Sequence, residues 1–134
     1  KDSIFQIMSM TKNFTGVGIM MLAEEGKLSI NDPVEKYIPA FKGQMVSEHI
    51  TNFQVAAHAP ARPITIRDLM THTSGTWGPA EGDHVLQTMD RSLKDAVEGW
   101  AKLPLAFEPG TKWSYSNPGI ATLGRIASRR PGAS

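Results

Sequence analysis

The sequence predicts a mainly α-helical chain with little strand, forming one domain over residues 1–134. Three observations carry that reading. Apolar residues recur at helical spacing around 14–22, 93–100 and 120–127. Helix-capping residues stand at the head of several segments. Between them the β-prone runs are short, Met45-Val46 and Phe53-Gln54-Val55.

Taken in order, the first helix is expected from about Ser9 to Glu25. Phe14, Val17, Met21 and Leu22 share its apolar spacing, and Gly26 is placed to end it. Gly16 and Gly18 lie inside this helix. Each costs about 1 kcal/mol relative to alanine, so close packing against another element is their expected reason. Asp32-Pro33 reads as an N-cap followed by proline at the first helical position. It opens a short helix through Tyr37 that Pro39 stops. Residues 43–64 carry no helical period and read as a loop with one hairpin.

Thr65-Ile66-Arg67-Asp68 has capping-box spacing, with a short helix to Met70 or Thr71 behind it. Gly75, Gly78, Pro79 and Gly82 mark an irregular loop. Ser92-Leu93-Lys94-Asp95 starts another helix, with Leu93, Ala96, Val97 and Trp100 on one face and Pro104 as terminator. Pro109-Gly110 is a turn. Asn117-Pro118 then opens the last helix, with Asn117 as its cap and Ile120, Leu123 and Ala127 on one face.

Composition excludes several function classes. With 134 residues, 40% of them hydrophobic, the chain can bury a core. Fourteen basic and 13 acidic residues leave a net charge of +1, which argues for neither nucleic acid nor an anionic membrane as partner. The longest apolar run, Ile19-Met20-Met21-Leu22-Ala23, is far too short to span a bilayer. There is no cysteine, so disulfides, thiol catalysis and cysteine metal sites are excluded. His49, His58, His72 and His84 lack metal-ligand spacing, and the glycines form neither a P-loop nor a dinucleotide fingerprint; no metal or cofactor is expected. Trp77, Trp100 and Trp113 are scattered, with no basic interleaving, so no base-stacking platform is expected. Arg125, Arg129 and Arg130 read as a charged helix end.

Two short motifs could carry chemistry. Serine followed three residues later by lysine occurs once, at Ser9-Met10-Thr11-Lys12. Positions i and i+3 share a helix face, and a lysine there can take the proton from a serine that is otherwise a weak nucleophile. The plainer alternative is a capping serine and a solvated lysine. In Tyr115-Ser116-Asn117 the tyrosine could relay a proton and the asparagine could bond substrate and lysine. Against that, Asn117 is already explained as a cap, and Tyr115 beside Trp113 could be core. His72-Thr73-Ser74-Gly75 invites a triad reading. A hydrogen-bonded turn with Gly75 at positive φ explains it better.

Taken together, these pieces resemble the serine β-lactamase-related family: class C β-lactamases, the esterases built like them, and penicillin-binding D-alanyl-D-alanine peptidases. Phe5-Gln6-Ile7-Met8-Ser9-Met10-Thr11-Lys12 looks like the start of that family's nucleophile helix. Glu24-Glu25-Gly26-Lys27-Leu28 and Asp32-Pro33-Val34-Glu35-Lys36-Tyr37 match the family's next stretches of chain. Ile64-Thr65-Ile66-Arg67-Asp68-Leu69-Met70-Thr71-His72-Thr73-Ser74-Gly75 is a further signature stretch. Phe107-Glu108-Pro109-Gly110-Thr111-Lys112-Trp113-Ser114-Tyr115-Ser116-Asn117-Pro118-Gly119 is similar to the tyrosine motif with its lead-in.

The resemblance implies the helical region of the β-lactamase/transpeptidase-like α/β fold, with most of the sheet missing. It implies Ser9 as nucleophile forming an acyl-enzyme, Lys12 and Tyr115 sharing the general-base and general-acid work, and Asn117 binding substrate. Substrates would be β-lactams, D-Ala peptides or small carboxylic esters. The resemblance implies a bacterial periplasmic or secreted setting, and it leaves a cytoplasmic one open. The family's later lysine-threonine-glycine element has no counterpart here, and Pro131 departs from the pattern. The expectation is therefore a truncated segment with weak activity. A non-catalytic helical fragment that self-associates through bare apolar helix faces is the alternative.

Overall fold

The structure, a computed structural model, describes residues 2–47, 56–76 and 91–129. The expected strand at Phe53-Gln54-Val55, the loop residues Gly78, Pro79 and Gly82, and Arg130 lie outside the described residues. The mainly helical fold class is borne out.

A 3-10 turn, Met8–Met10, leads directly into α1, Thr11–Glu24. Gly26 ends α1 as expected, at φ 69°. Its N–H reaches the Ala23 carbonyl at 3.0 Å and the Lys27 N–H reaches Leu22 at 2.9 Å, the paired bonds of a Schellman cap. The reason expected for Gly16 and Gly18 does not hold: a Cβ at either position would meet nothing within 4 Å. Instead Gly16 lines an open groove.

Asp32 does not cap a helix. The next element is a 3-10 turn, Val34–Lys36, without a side-chain cap. Asp32 gathers local donors instead: the Tyr37 hydroxyl, the Lys36 ammonium at 2.9 Å and the Ser29 N–H at 3.0 Å. Pro39 stops that turn and opens another, Pro39–Phe41. Within 43–64 the described residues form two two-residue strands, β1 Val46–Ser47 and β2 Ala57–His58, antiparallel with Val46 opposite His58. Val46 also bridges to Leu105, which brings the later chain alongside.

The capping box at Thr65 forms in full and starts α2, Ile66–Met70. Buried Asp68 also holds Arg62 through two bonds of 2.5 and 3.0 Å. Arg62 in turn donates to the Pro109 carbonyl, so the head of α2 is tied to the segment that leads toward Tyr115. Ser92 caps α3, Leu93–Trp100, which buries Ala96, Val97 and Trp100 while Leu93 stays exposed.

The last helix is α4, Asn117–Ser128. α1, α2 and α3 all pack on it. Leu123 and Ile126 are buried and Ile120 partly so, but Ala127 faces solvent, so the buried stripe differs from the one expected. Ile19, Leu69, Val97 and Leu123 form the centre of the core. By contrast α1 buries only Ile19 fully; Phe14, Val17, Met20 and Met21 are exposed. Among the described residues no helix is long and apolar enough to cross a membrane.

The Asp32 network makes a pH prediction. The Tyr37 hydroxyl first, then Lys36 and the Ser29 N–H, lower the Asp32 pKa from 3.8 to about 2. The folded value lies below the unfolded one, so this contribution is present above 3.8 and lost as the pH falls toward 2. Acid unfolding followed by circular dichroism should show stability falling over that window, and Asp32→Asn should remove that part of the dependence.

Candidate active site

Ser9 sits in the 3-10 turn ahead of α1, and Lys12 lies in the first turn of α1. In a 3-10 turn residues i and i+3 eclipse, which brings the two side chains together. Lys12 Nζ donates to Ser9 Oγ at 3.1 Å. On its other side Ser9 Oγ shares a 2.7 Å hydrogen bond with the Tyr115 hydroxyl, 106 positions away in the chain. Lys12 Nζ also lies 4.8 Å from the centroid of the Tyr115 ring. Ser9 is exposed, whereas Lys12 and Tyr115 are partly buried. One exposed hydroxyl is thus held between the Tyr115 oxygen and the Lys12 nitrogen.

Tyr115 is delivered by the segment after the Pro109-Gly110 turn, and His72 holds that segment. The Ser114 N–H donates to the His72 carbonyl at 2.9 Å. The Ser116 N–H donates to His72 Nδ1 at 3.1 Å. Between these two bonds the imidazole stacks on the Tyr115 ring, with centroids 4.8 Å apart and planes 25° off parallel. Burial lowers the His72 pKa, and the Lys12 charge lowers it further.

The residues after His72 brace the same segment. Ser74, Thr76 and Ser116 form a buried hydroxyl chain with two links of 2.8 Å. Ser116 Oγ accepts the Gly119 N–H at 3.0 Å, which makes Ser116 the cap of α4. This corrects the assignment of the cap to Asn117, which is the first residue of α4, partly exposed and two positions from Tyr115. Trp113 is 66% exposed, so Tyr115 does not belong to a core built around it. Gly75 takes positive φ as expected, 76°. The contacts of His72 with Tyr115 and Ser116 were not expected. The available signal was a histidine between a short helix and a glycine turn, and nothing in that pattern points 43 positions onward to Tyr115.

A groove of about 580 Å³ begins at Lys12 and His72 and runs along α1 past Gly16 and Met20, with Ile120 opposite. Lys12, Asn13, Glu24 and His72 are its polar and charged lining residues, among apolar side chains.

The chain belongs to the beta-lactamase family, whose model matches residues 1–134. It is 36% identical over 138 residues to an uncharacterized protein of Mycobacterium tuberculosis, covering 96% of this chain and 33% of the relative. A D-stereospecific amidohydrolase from Streptomyces is similar in structure, with TM-score 0.66 and 26% identity over 92% of this chain and 36% of that one. An octameric penicillin-binding protein homologue from Pyrococcus abyssi matches with TM-score 0.59 and 28% identity, over 89% of this chain and 26% of its own. The chain therefore spans about a third of the length of the curated relative it matches.

Gly75 ties these parts together, and its replacement should show it. A Cβ there would run into the Phe107 carbonyl oxygen, and the positive φ adds strain. Gly75→Ala should destabilise by roughly 2 kcal/mol or more. Gly26→Ala also has positive φ but meets open space, and should cost only about 1 kcal/mol. Urea unfolding of the two variants measures the difference.

Proposed function

We propose that this chain carries the nucleophile centre of a serine hydrolase that works through an acyl-enzyme. The observation that supports this best is Ser9 Oγ bonded to both Tyr115 and Lys12. In this reading Tyr115 and Lys12 together hold one proton fewer than a phenol beside an ammonium, so the pair takes the Ser9 proton as Oγ attacks a carbonyl carbon. The same proton then goes to the leaving group as the acyl bond breaks. Lys12 stabilises negative charge on either oxygen, and Asn117 contacts the substrate. The substrate class is a β-lactam, a D-Ala peptide or a small carboxylic ester. The likeness to an amidohydrolase and to a penicillin-binding protein homologue supports acyl transfer. The functional unit is a single, mainly helical part of the β-lactamase-like domain.

A second reading has its own observation. Phe14, Val17, Met20 and Met21 leave α1 with a bare apolar flank. That flank supports a self-associating module that retains the site residues without turnover. Light scattering should then show association, with binding of a dye specific for exposed apolar surface. A sharp monomer without dye binding would reject it.

The catalytic reading is tested by reaction with a fluorophosphonate and an activated ester, mapped by mass spectrometry. The adduct is expected on Ser9 and should vanish in Ser9→Ala. Lys12→Ala and Tyr115→Phe should each slow labelling by about 10²–10⁴. Labelling should exceed turnover, because deacylation also needs a positioned water in a closed site. An adduct that survives Ser9→Ala rejects Ser9 as nucleophile.

A further inference from the structure

We propose that His72 is the positioning residue of this site. As a neutral imidazole it clamps residues 114–116 and sets the Tyr115 hydroxyl on Ser9, and its protonation releases the clamp.

Three contacts converge on one tripeptide: carbonyl to Ser114, ring face to Tyr115 and Nδ1 to Ser116. A backbone N–H can only donate, so Nδ1 must accept, and the ring proton sits on Nε2. Protonation would put an N–H on Nδ1, facing the Ser116 N–H. That bond would be lost and two donors would oppose each other. The new cation would also face Lys12 on α1, a charge of the same sign. Glu24 lies further along the α1 side of the groove. Among the described residues, Tyr115 and Trp113 at the ring and Asn13, Met70, Ile120 and Leu123 along the groove carry no compensating charge. Burial and Lys12 both favour the neutral form in the folded chain. The clamp is therefore intact above the ordinary value of 6.5 and opens as the pH falls through a lower folded value. The backbone supports the same picture, since His72 is held at φ 58°, where a non-glycine residue needs its surroundings to keep it.

The effect on rate rests on the proposed roles of Ser9 and Tyr115; the clamp itself does not. The test uses the full chain, with nuclear magnetic resonance of the His72 and Tyr115 rings and fluorophosphonate labelling of Ser9, both between about pH 5 and 8. The Tyr115 resonances and the labelling rate should follow the His72 titration with one midpoint below 6.5. His72→Asn tolerates positive φ and can still accept the Ser116 N–H, but it cannot be protonated. It should lose that titration and keep labelling within about tenfold of wild type at the upper pH, whereas His72→Ala should fall more than tenfold throughout. Tyr115 resonances that ignore the His72 titration overturn the proposal. So does a protonated Nδ1 at the upper pH, or the same acid limb in His72→Asn. Failure of the catalytic reading looks different: Tyr115 still follows His72, but labelling is indifferent to Ser9→Ala and Tyr115→Phe.

Discussion

The 2.7 Å contact between Ser9 and Tyr115 closes a stretch of 106 positions, and the site exists only while that closure holds. The logarithmic part of the closure entropy is about 4 kcal/mol at this length. A single hydrogen bond contributes about 1 kcal/mol net, and less where water competes at an exposed serine. The contact therefore cannot hold itself together. It reports a geometry fixed elsewhere, by elements that bring residue 9 and residue 115 to the same place independently.

α4 is the element that does this. It begins directly after Tyr115-Ser116, and α1, which begins just after Ser9, packs against it. Full burial of a leucine, isoleucine or valine contributes roughly 1.5–3 kcal/mol. Ile19, Leu69, Val97 and Leu123 come from four different helices and are all fully buried. Together they exceed the closure cost. The remaining requirement is angular, because a core of aliphatic side chains does not aim a phenol. That part falls to the directional contacts: the Ser116 cap, the Ser74–Thr76–Ser116 hydroxyls, and His72.

Legibility in the sequence divides along the same line. Local devices were legible: the Ser9–Lys12 spacing, the Thr65–Asp68 capping box, the Ser92 cap and the glycine stop at 26. Each is decided within four or five residues. The caps misread at Asn117 and Asp32 turn on competition among several partners. Ser116 and Asn117 are both good caps beside Pro118, and the local sequence gives no reason to choose between them. Thr76, 40 positions earlier, accompanies the choice of Ser116. Asp32 looked like a cap, but Tyr37 and Lys36 compete for its carboxylate. The Tyr115 motif could be placed in the site by resemblance, but not the histidine that holds it.

Strain marks the same boundary. Among the described residues two non-glycines have positive φ, Met8 at 46° and His72 at 58°. One precedes the serine and the other supports the tyrosine. Such conformations cost on the order of 1 kcal/mol or more and persist only where the surroundings over-determine them. Met8 is exposed, and the 3-10 turn it starts runs directly into α1. His72 is held by its bonds to Ser114 and Ser116. The two strained residues thus flank the two ends of the long closure.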